Sequence, residues 1–174
     1  MPTVPIRRAA PSDAAVLAEL GRATFTETFA HLYPPEDLQT FVGQAYAPEA
    51  FARFLASDDH ALWVAELGGQ AVGYAHAGPC ALPHPEATPR CGELKRLYVR
   101  AGRQGDGLGS ALLDQALAWL EAPGRRLWIG VWSENFGAQR LYASRGFEKV
   151  GEYEFPVGAA RDHEFILSRP GARA

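Results

Sequence analysis

What the 174-residue chain lacks narrows its class before any motif is read. Its two cysteines, Cys80 and Cys91, are too few for a disulfide framework, which fits a reducing compartment. No stretch approaches the length of a membrane span, and the opening MPTVPIRRAA has no apolar run of the signal-peptide kind. A soluble, cytoplasmic protein is therefore expected. Internal repeats, low-complexity tracts and interdomain linkers are missing too, so residues 1–174 read as a single domain with one core. His76, Cys80, His84 and Cys91 match neither C-x-x-C nor H-x-x-x-H, and no metal is expected. His84-Pro85-Glu86 lacks the P-C-x-x-C that would make it a zinc deaminase signature.

Basic excess is also missing. The net charge of −3 disfavours a nucleic-acid partner, and Trp63, Trp119, Trp128 and Trp132 read as core or pocket wall, not as a base-stacking surface. The charge is unevenly spread. Residues 1–90 hold 5 Arg and no Lys against 10 acids, or −5, whereas residues 91–174 hold 12 bases against 10 acids, or +2. Solvated faces alone would explain this, and so would an acidic region for a cation beside a basic one for an anion.

What is present centres on residues 93–120, ELKRLYVRAGRQGDGLGSALLDQALAWL. A strand carrying Leu94, Leu97 and Val99 runs into a glycine-rich turn, and a helix of good helix formers follows at once. Free N–H groups at that helix N-terminus, with the positive end of its dipole, make an anion cradle that Gly105, Gly107 and Gly109 leave open to close approach. A phosphate-bearing ligand follows. The dinucleotide fingerprint fits poorly, because Ser110 stands at its third glycine and Leu127 and Trp128 where an acid is needed. A Walker A loop fails because no lysine lies between Gly109 and Ser110. The remaining pattern is Q-x-x-G-x-G, met by Gln104, Gly107 and Gly109, with Glu93 eleven residues before the glutamine.

That spacing resembles the GNAT family of acetyl-coenzyme A-dependent N-acetyltransferases, and residues 127–147 carry the second half of the likeness. LWIGVWSENFGAQRLYASRGF reads as an apolar strand, a Ser133/Asn135 helix entry, an amphipathic helix with Tyr142, and Arg145-Gly146-Phe147 to end it. The resemblance implies an α/β (α+β) fold with a mixed, mostly antiparallel sheet of about seven strands flanked by helices. It further implies that acetyl-coenzyme A is held by Leu97, Tyr98 and Val99 of the strand, by Gln104, Gly105, Asp106, Gly107, Leu108, Gly109 and Ser110 of the turn, and by Asn135. Glu93 is implied as the base and Tyr142 as the acid that protonates the thiolate. ELKRLYV, LWIGVW and GFEKVGEYEF look like the PaiA-type polyamine acetyltransferases of that family, as does TFTETFAHLY near the start. The narrower likeness implies a polyamine acceptor. Acetyltransferases for other amines (antibiotics, amino acids, protein N-termini) and a non-catalytic coenzyme A sensor are the alternatives.

The rest of the chain supplies the frame. Residues 3–9 predict an edge strand, since Pro5 lacks a donor, and Ser12 or Asp13 predicts the cap of a helix with Val16, Leu17, Leu20, Phe25 and Phe29 as its stripe, loosened at Gly21. Further helices open near Glu36 and at Pro48. Residues 61–67 and 70–77 predict a hairpin about Gly68-Gly69, residues 79–91 a mobile proline-rich loop, and the two stretches after Gly146 a last strand pair. Glu27, Glu36 and Asp37 on the early helices are the expected ammonium anchors, with Asp162 and Glu164 of the last strand ranked below them. The partners expected are a small-molecule amine and, as an assembly to test, a homodimer, with no nucleic acid and no membrane.

Overall fold

The computed structural model describes residues 4–172. One seven-stranded sheet carries the fold, in the order β1-β2-β3-β4-β5-β7-β6. Its strands are β1 (Ile6–Arg8), β2 (Ala61–Leu67), β3 (Gln70–Pro79), β4 (Gly92–Val99), β5 (Leu127–Trp132), β6 (Glu148–Val157) and β7 (Ala160–Arg169). Three helices, α1 (Ala14–Phe29), α2 (Pro35–Ala45) and α3 (Pro48–Ala56), lie between β1 and β2; α4 (Leu108–Leu120) links β4 to β5, and α5 (Phe136–Ser144) follows β5. The sequence-derived fold class holds: every pairing is antiparallel except β4 with β5, whose crossover is the α4 segment. No helix among the described residues is long and apolar enough to cross a membrane.

Burial on both faces of the sheet explains why the central strands are so apolar. On one face Leu112, Leu113, Leu117 and Leu120 of α4 pack with Leu94, Leu127, Ile129 and Leu167. On the other, Leu17, Leu20, Phe25 and Phe29 of α1 pack with Tyr46, Phe51, Tyr74 and Val157. Leu94 and Leu97 are three apart yet share the α4 face, which strict alternation forbids. The reason is a bulge: His76 pairs with Arg96 and Ala77 with Leu94, so Lys95 is an extra residue that resets the phase of β4.

Several local expectations change. Thr3 lies outside the described residues, and β1 is shorter than predicted, though it is an edge strand as expected. Neither Ser12 nor Asp13 caps α1 through its side chain; Asp13 instead takes the Ala10 N–H and a two-pronged contact from Arg7, whose guanidinium holds its carboxyl below the usual range. Gly21 does not loosen α1. A Cβ there would stand 2.4 Å from the Tyr46 ring, so glycine is what lets α1 close on that ring. The loop at 79–91, expected to be mobile, is fastened by the Cys80 N–H to the Cys91 carbonyl (3.0 Å) and by the Ala81 N–H to Glu93 (2.9 Å).

Candidate active site

The site begins where β4 and β5 part. Their parallel pairing covers only Gly92–Leu94 against Leu127–Ile129, although β4 runs on to Val99 and β5 to Trp132. Beyond Leu94 and Ile129, each strand turns an unpaired edge of N–H and C=O groups toward the gap. Unpaired backbone inside a fold needs partners, so this slot suits an extended ligand with amides of its own.

The helix that follows β4 aims at the same opening. Gly107, at φ +76°, is the N-cap of α4, and no side chain caps the helix there. Gly105, at φ +91°, precedes it, so a left-handed backbone presents the first N–H groups of α4 unobstructed. Gln104 does not face them; its Nε2 donates to the Val99 carbonyl and ties the loop to the end of β4 (3.2 Å). Leu97 and Tyr98 line the slot between the strands, and Leu108, Gly109 and Ser110 form the first turn of α4. The resulting donors, a positive dipole end and an open-edged slot fit a pyrophosphate with an amide-bearing arm.

The slot opens into a cavity of about 210 Å³ on the α1–α2 side of the sheet. Aromatic residues wall it: Phe25, Phe29 and Tyr33 from α1 and the turn after it, Phe41 and Tyr46 from and just beyond α2, Trp132 from β5, and Phe155 from β6. Asn135 and Tyr142 stand at the junction of slot and cavity. Asn135 Oδ1 accepts the Ala138 N–H (3.1 Å) and so caps α5. Tyr142 is buried, and burial with the nearby Glu164 charge pushes its hydroxyl far above the ordinary tyrosine range, so it stays protonated.

The acids that reach this cavity come from β7. Asp162 accepts the Tyr33 hydroxyl proton, and burial raises its carboxyl above the ordinary range. Glu164 lies two residues on, on the same face, and burial followed by the Asp162 charge pushes its pKa up to about 7. A carboxyl that titrates near neutrality at a cavity wall is suited to exchanging protons with a ligand.

Other expected site residues fall elsewhere. Glu93 lies on the cavity side of β4, yet it does not line the cavity; its Oε2 accepts from the Ala81 N–H (2.9 Å) and from Lys95 Nζ (3.1 Å). Glu27, Glu36 and Asp37 do not line it either. Glu27 pairs with Arg100 (2.8 Å) and accepts the Ala101 N–H (2.9 Å), which fastens the start of the glycine loop to α1. Glu36 is exposed in the first turn of α2, and Asp37 packs against Gly158 in the β6–β7 turn. The four sulfur and imidazole groups weighed as metal ligands have other contacts. His76 meets His60 (2.9 Å), His84 meets the Val150 carbonyl (3.2 Å), and Cys80 packs in a small cluster with Trp128 and Cys91.

Comparison with known proteins gives the same outline. The model of the acetyltransferase (GNAT) family matches residues 23–147. An N-acetyltransferase of the pepI 3′ region of Lactobacillus delbrueckii subsp. lactis is 29% identical over 97% of this chain and 98% of its own length. An N-acetyltransferase of Mycobacterium tuberculosis is 31% identical over 91% of this chain and 97% of that one. Among solved structures, a PaiA N-acetyltransferase of Thermoplasma acidophilum in complex with coenzyme A superposes with a TM-score of 0.76 at 20% identity, covering 97% of this chain and 99% of that one.

Proposed function

Because the chain belongs to the acetyltransferase (GNAT) family and is an N-acetyltransferase that uses acetyl-coenzyme A, we propose that it acetylates a primary amine received in the aromatic cavity, with Glu164 as base and Tyr142 as acid. The observation that carries this reading is the parting of β4 from β5 in front of an uncapped α4 N-terminus. Gly105 to Ser110 would hold the pyrophosphate, the open edges of β4 and β5 the pantetheine amides, and Asn135 Nδ2 a carbonyl of the same arm. Acetyl-coenzyme A supplies the activated acyl group as a thioester.

An aliphatic ammonium with a pKa near ~10.4 resists giving up its proton at pH 7 by roughly 4 to 5 kcal/mol. Asp162 and Glu164 offset part of this cost. Asp162, fixed by Tyr33, orients the ammonium, and Glu164 takes its proton. Glu93 is less suited to that task, since its Oε2 already holds the Ala81 N–H and Lys95. With acetyl-coenzyme A bound, the freed lone pair would attack the thioester carbonyl, backbone N–H groups on the slot edge of β4 would receive the developing oxyanion, Tyr142 would give its proton to the departing sulfur, and the second proton shed by the acylated nitrogen would restore the Tyr142 hydroxyl. The carbon–nitrogen bond replaces the carbon–sulfur bond with no acyl-enzyme between. The direct test is thiol release from acetyl-coenzyme A across polyamines, aminoglycosides, amino acids, simple amines and peptides. No release with any amine would reject this function.

Two variants separate the roles. Tyr142→Phe keeps the ring that fills the core and removes only the hydroxyl, so kcat should fall about 10²-fold with cofactor affinity almost unchanged. An unaltered rate would assign protonation of the thiolate to water. Glu27→Gln weakens the tether between α1 and the glycine loop. It should raise the KM for acetyl-coenzyme A about threefold, in line with the modest worth of a half-exposed ion pair, and leave the amine KM alone. A rise in the amine KM instead would return Glu27 to the acceptor site.

A polyamine is the finer acceptor reading that the sequence suggests, and the likeness to a PaiA N-acetyltransferase supports it. Such a polycation would bind by screened attraction. Its KM would climb steeply with salt at constant kcat, whereas a salt-independent KM for spermidine would remove this reading.

A further inference from the structure

The walls of the acceptor cavity say more about the amine than its two acids do. Asp162 and Glu164, two residues apart on one face of β7, are the only carboxylates that line it among the described residues. Lys95 and Arg96 line it from β4, which β5 separates from β7 in the same sheet. Both cations are held in place. Lys95 Nζ pairs with Glu93 (3.1 Å), while Arg96 lies over the Tyr46 ring (4.3 Å) and donates to the Ala45 carbonyl (3.2 Å). Much of the remaining lining is aromatic. Phe41 meets Phe25 at 4.9 Å and Phe155 at 5.7 Å, and Phe29 meets Trp132 at 5.5 Å, so the rings form a continuous lining with no further charge of either sign.

Resting on the acetyltransferase reading above, we infer that the preferred acceptor is a primary monoamine with an apolar body about the size of one aromatic ring, not a polycation. One ammonium satisfies the Asp162–Glu164 pair and gains from the ring faces beside it. A second ammonium a few carbons away would be stripped of water against aromatic rings, or driven toward Lys95 and Arg96. An apolar body meets neither penalty, and each buried methylene adds about fourfold to specificity.

The test compares amines that differ only in the far end. With the intact enzyme at saturating acetyl-coenzyme A, thiol release is followed for hexylamine, hexane-1,6-diamine, phenethylamine and spermidine. The two monoamines should exceed hexane-1,6-diamine and spermidine in kcat/KM by about tenfold or more, the cost of one misplaced charge. Phe41 is half-buried on α2 and packs at the margin of the core, so the melting temperature of its alanine variant is read alongside. Phe41→Ala should weaken the apparent binding of phenethylamine, seen as a higher KM, more than that of ethylamine, with kcat for both changed less. Equal or better use of the diamine or of spermidine would overturn the monoamine preference while leaving amine acetylation standing. Equal effects of Phe41→Ala on both amines would overturn the aromatic wall as the selecting element. Silence toward every amine would instead reject the acetyltransferase reading itself.

Discussion

Glu164→Gln should lower kcat about 10³-fold at pH 8, within the range a positioned base supplies, and abolish the acid limb of the pH profile. In the parent protein the base is competent only when ionised, so kcat/KM should rise with pH through about 7, the value to which burial and the Asp162 charge lift this carboxyl. The amine's own ionisation adds a separate rise at higher pH that the variant keeps. Glu93→Gln serves as the comparison. If Glu93 were the base, as its place on β4 first implies, that variant would lose the limb and Glu164→Gln would keep it. A full rate and an unchanged profile in Glu164→Gln would end the assignment.

The same carboxyl sets a cost in stability with a definite sign. Between its ordinary value of 4.5 and about 7, folded Glu164 keeps a proton that the unfolded chain has released. Its contribution is thus fully present below 4.5 and is lost as pH rises through about 7. At about 1.36 kcal/mol per unit, discounted for the open mouth of the cavity, the loss is on the order of 2 kcal/mol. Glu164→Gln should therefore melt higher than the parent protein at pH 8 while working far more slowly. Such a trade is expected where a charge is kept in a half-buried site for its chemistry.

How far the sequence discloses this site depends on how local each feature is. The glycine loop, α4, the hairpin at Gly68-Gly69 and the seven strands are written in short-range patterns, and each is found close to its predicted place. Asp162 and Glu164 are different. Alternation in DHEFILSR puts them on one face of a strand, but only the β5–β7 register, with Trp132 opposite Glu164, turns that face toward the cavity. Glu27 is the converse case: its acidity and helix suggest an acceptor anchor, yet Arg100, distant in sequence, claims it. The bulge at Lys95 is visible as the uneven spacing of Leu94 and Leu97, a phase break that a strict period of two cannot contain. The aromatic wall is visible only as composition, since Phe25 and Phe29 read equally well as an ordinary core stripe.

Gly109→Phe should abolish acetyl-coenzyme A binding while leaving the free protein folded. Gly109 lies in the first turn of α4 with ordinary helical dihedrals, and a Cβ there would meet only Val99, at 4.0 Å. A Cβ is thus tolerated there and a side chain improves helix propensity, so the melting temperature without cofactor should hold or rise. A ring at that position covers the N–H groups of Leu108, Gly109 and Ser110, where the pyrophosphate is expected. Charge-assisted hydrogen bonds are worth about 1.5–3 kcal/mol each, so losing two of them corresponds to an affinity loss on the order of 10³-fold. Gly107 provides the contrast: at φ +76° any side chain adds strain of about 1–2 kcal/mol, so Gly107→Phe should lower the melting temperature even without cofactor. Calorimetric titration and the cofactor-induced thermal shift read the two effects separately. An undiminished thermal shift in Gly109→Phe would show that the pyrophosphate does not sit on α4, and an equal shift of the parent protein by a nicotinamide dinucleotide would show that the cradle takes diphosphates without regard to the pantetheine arm.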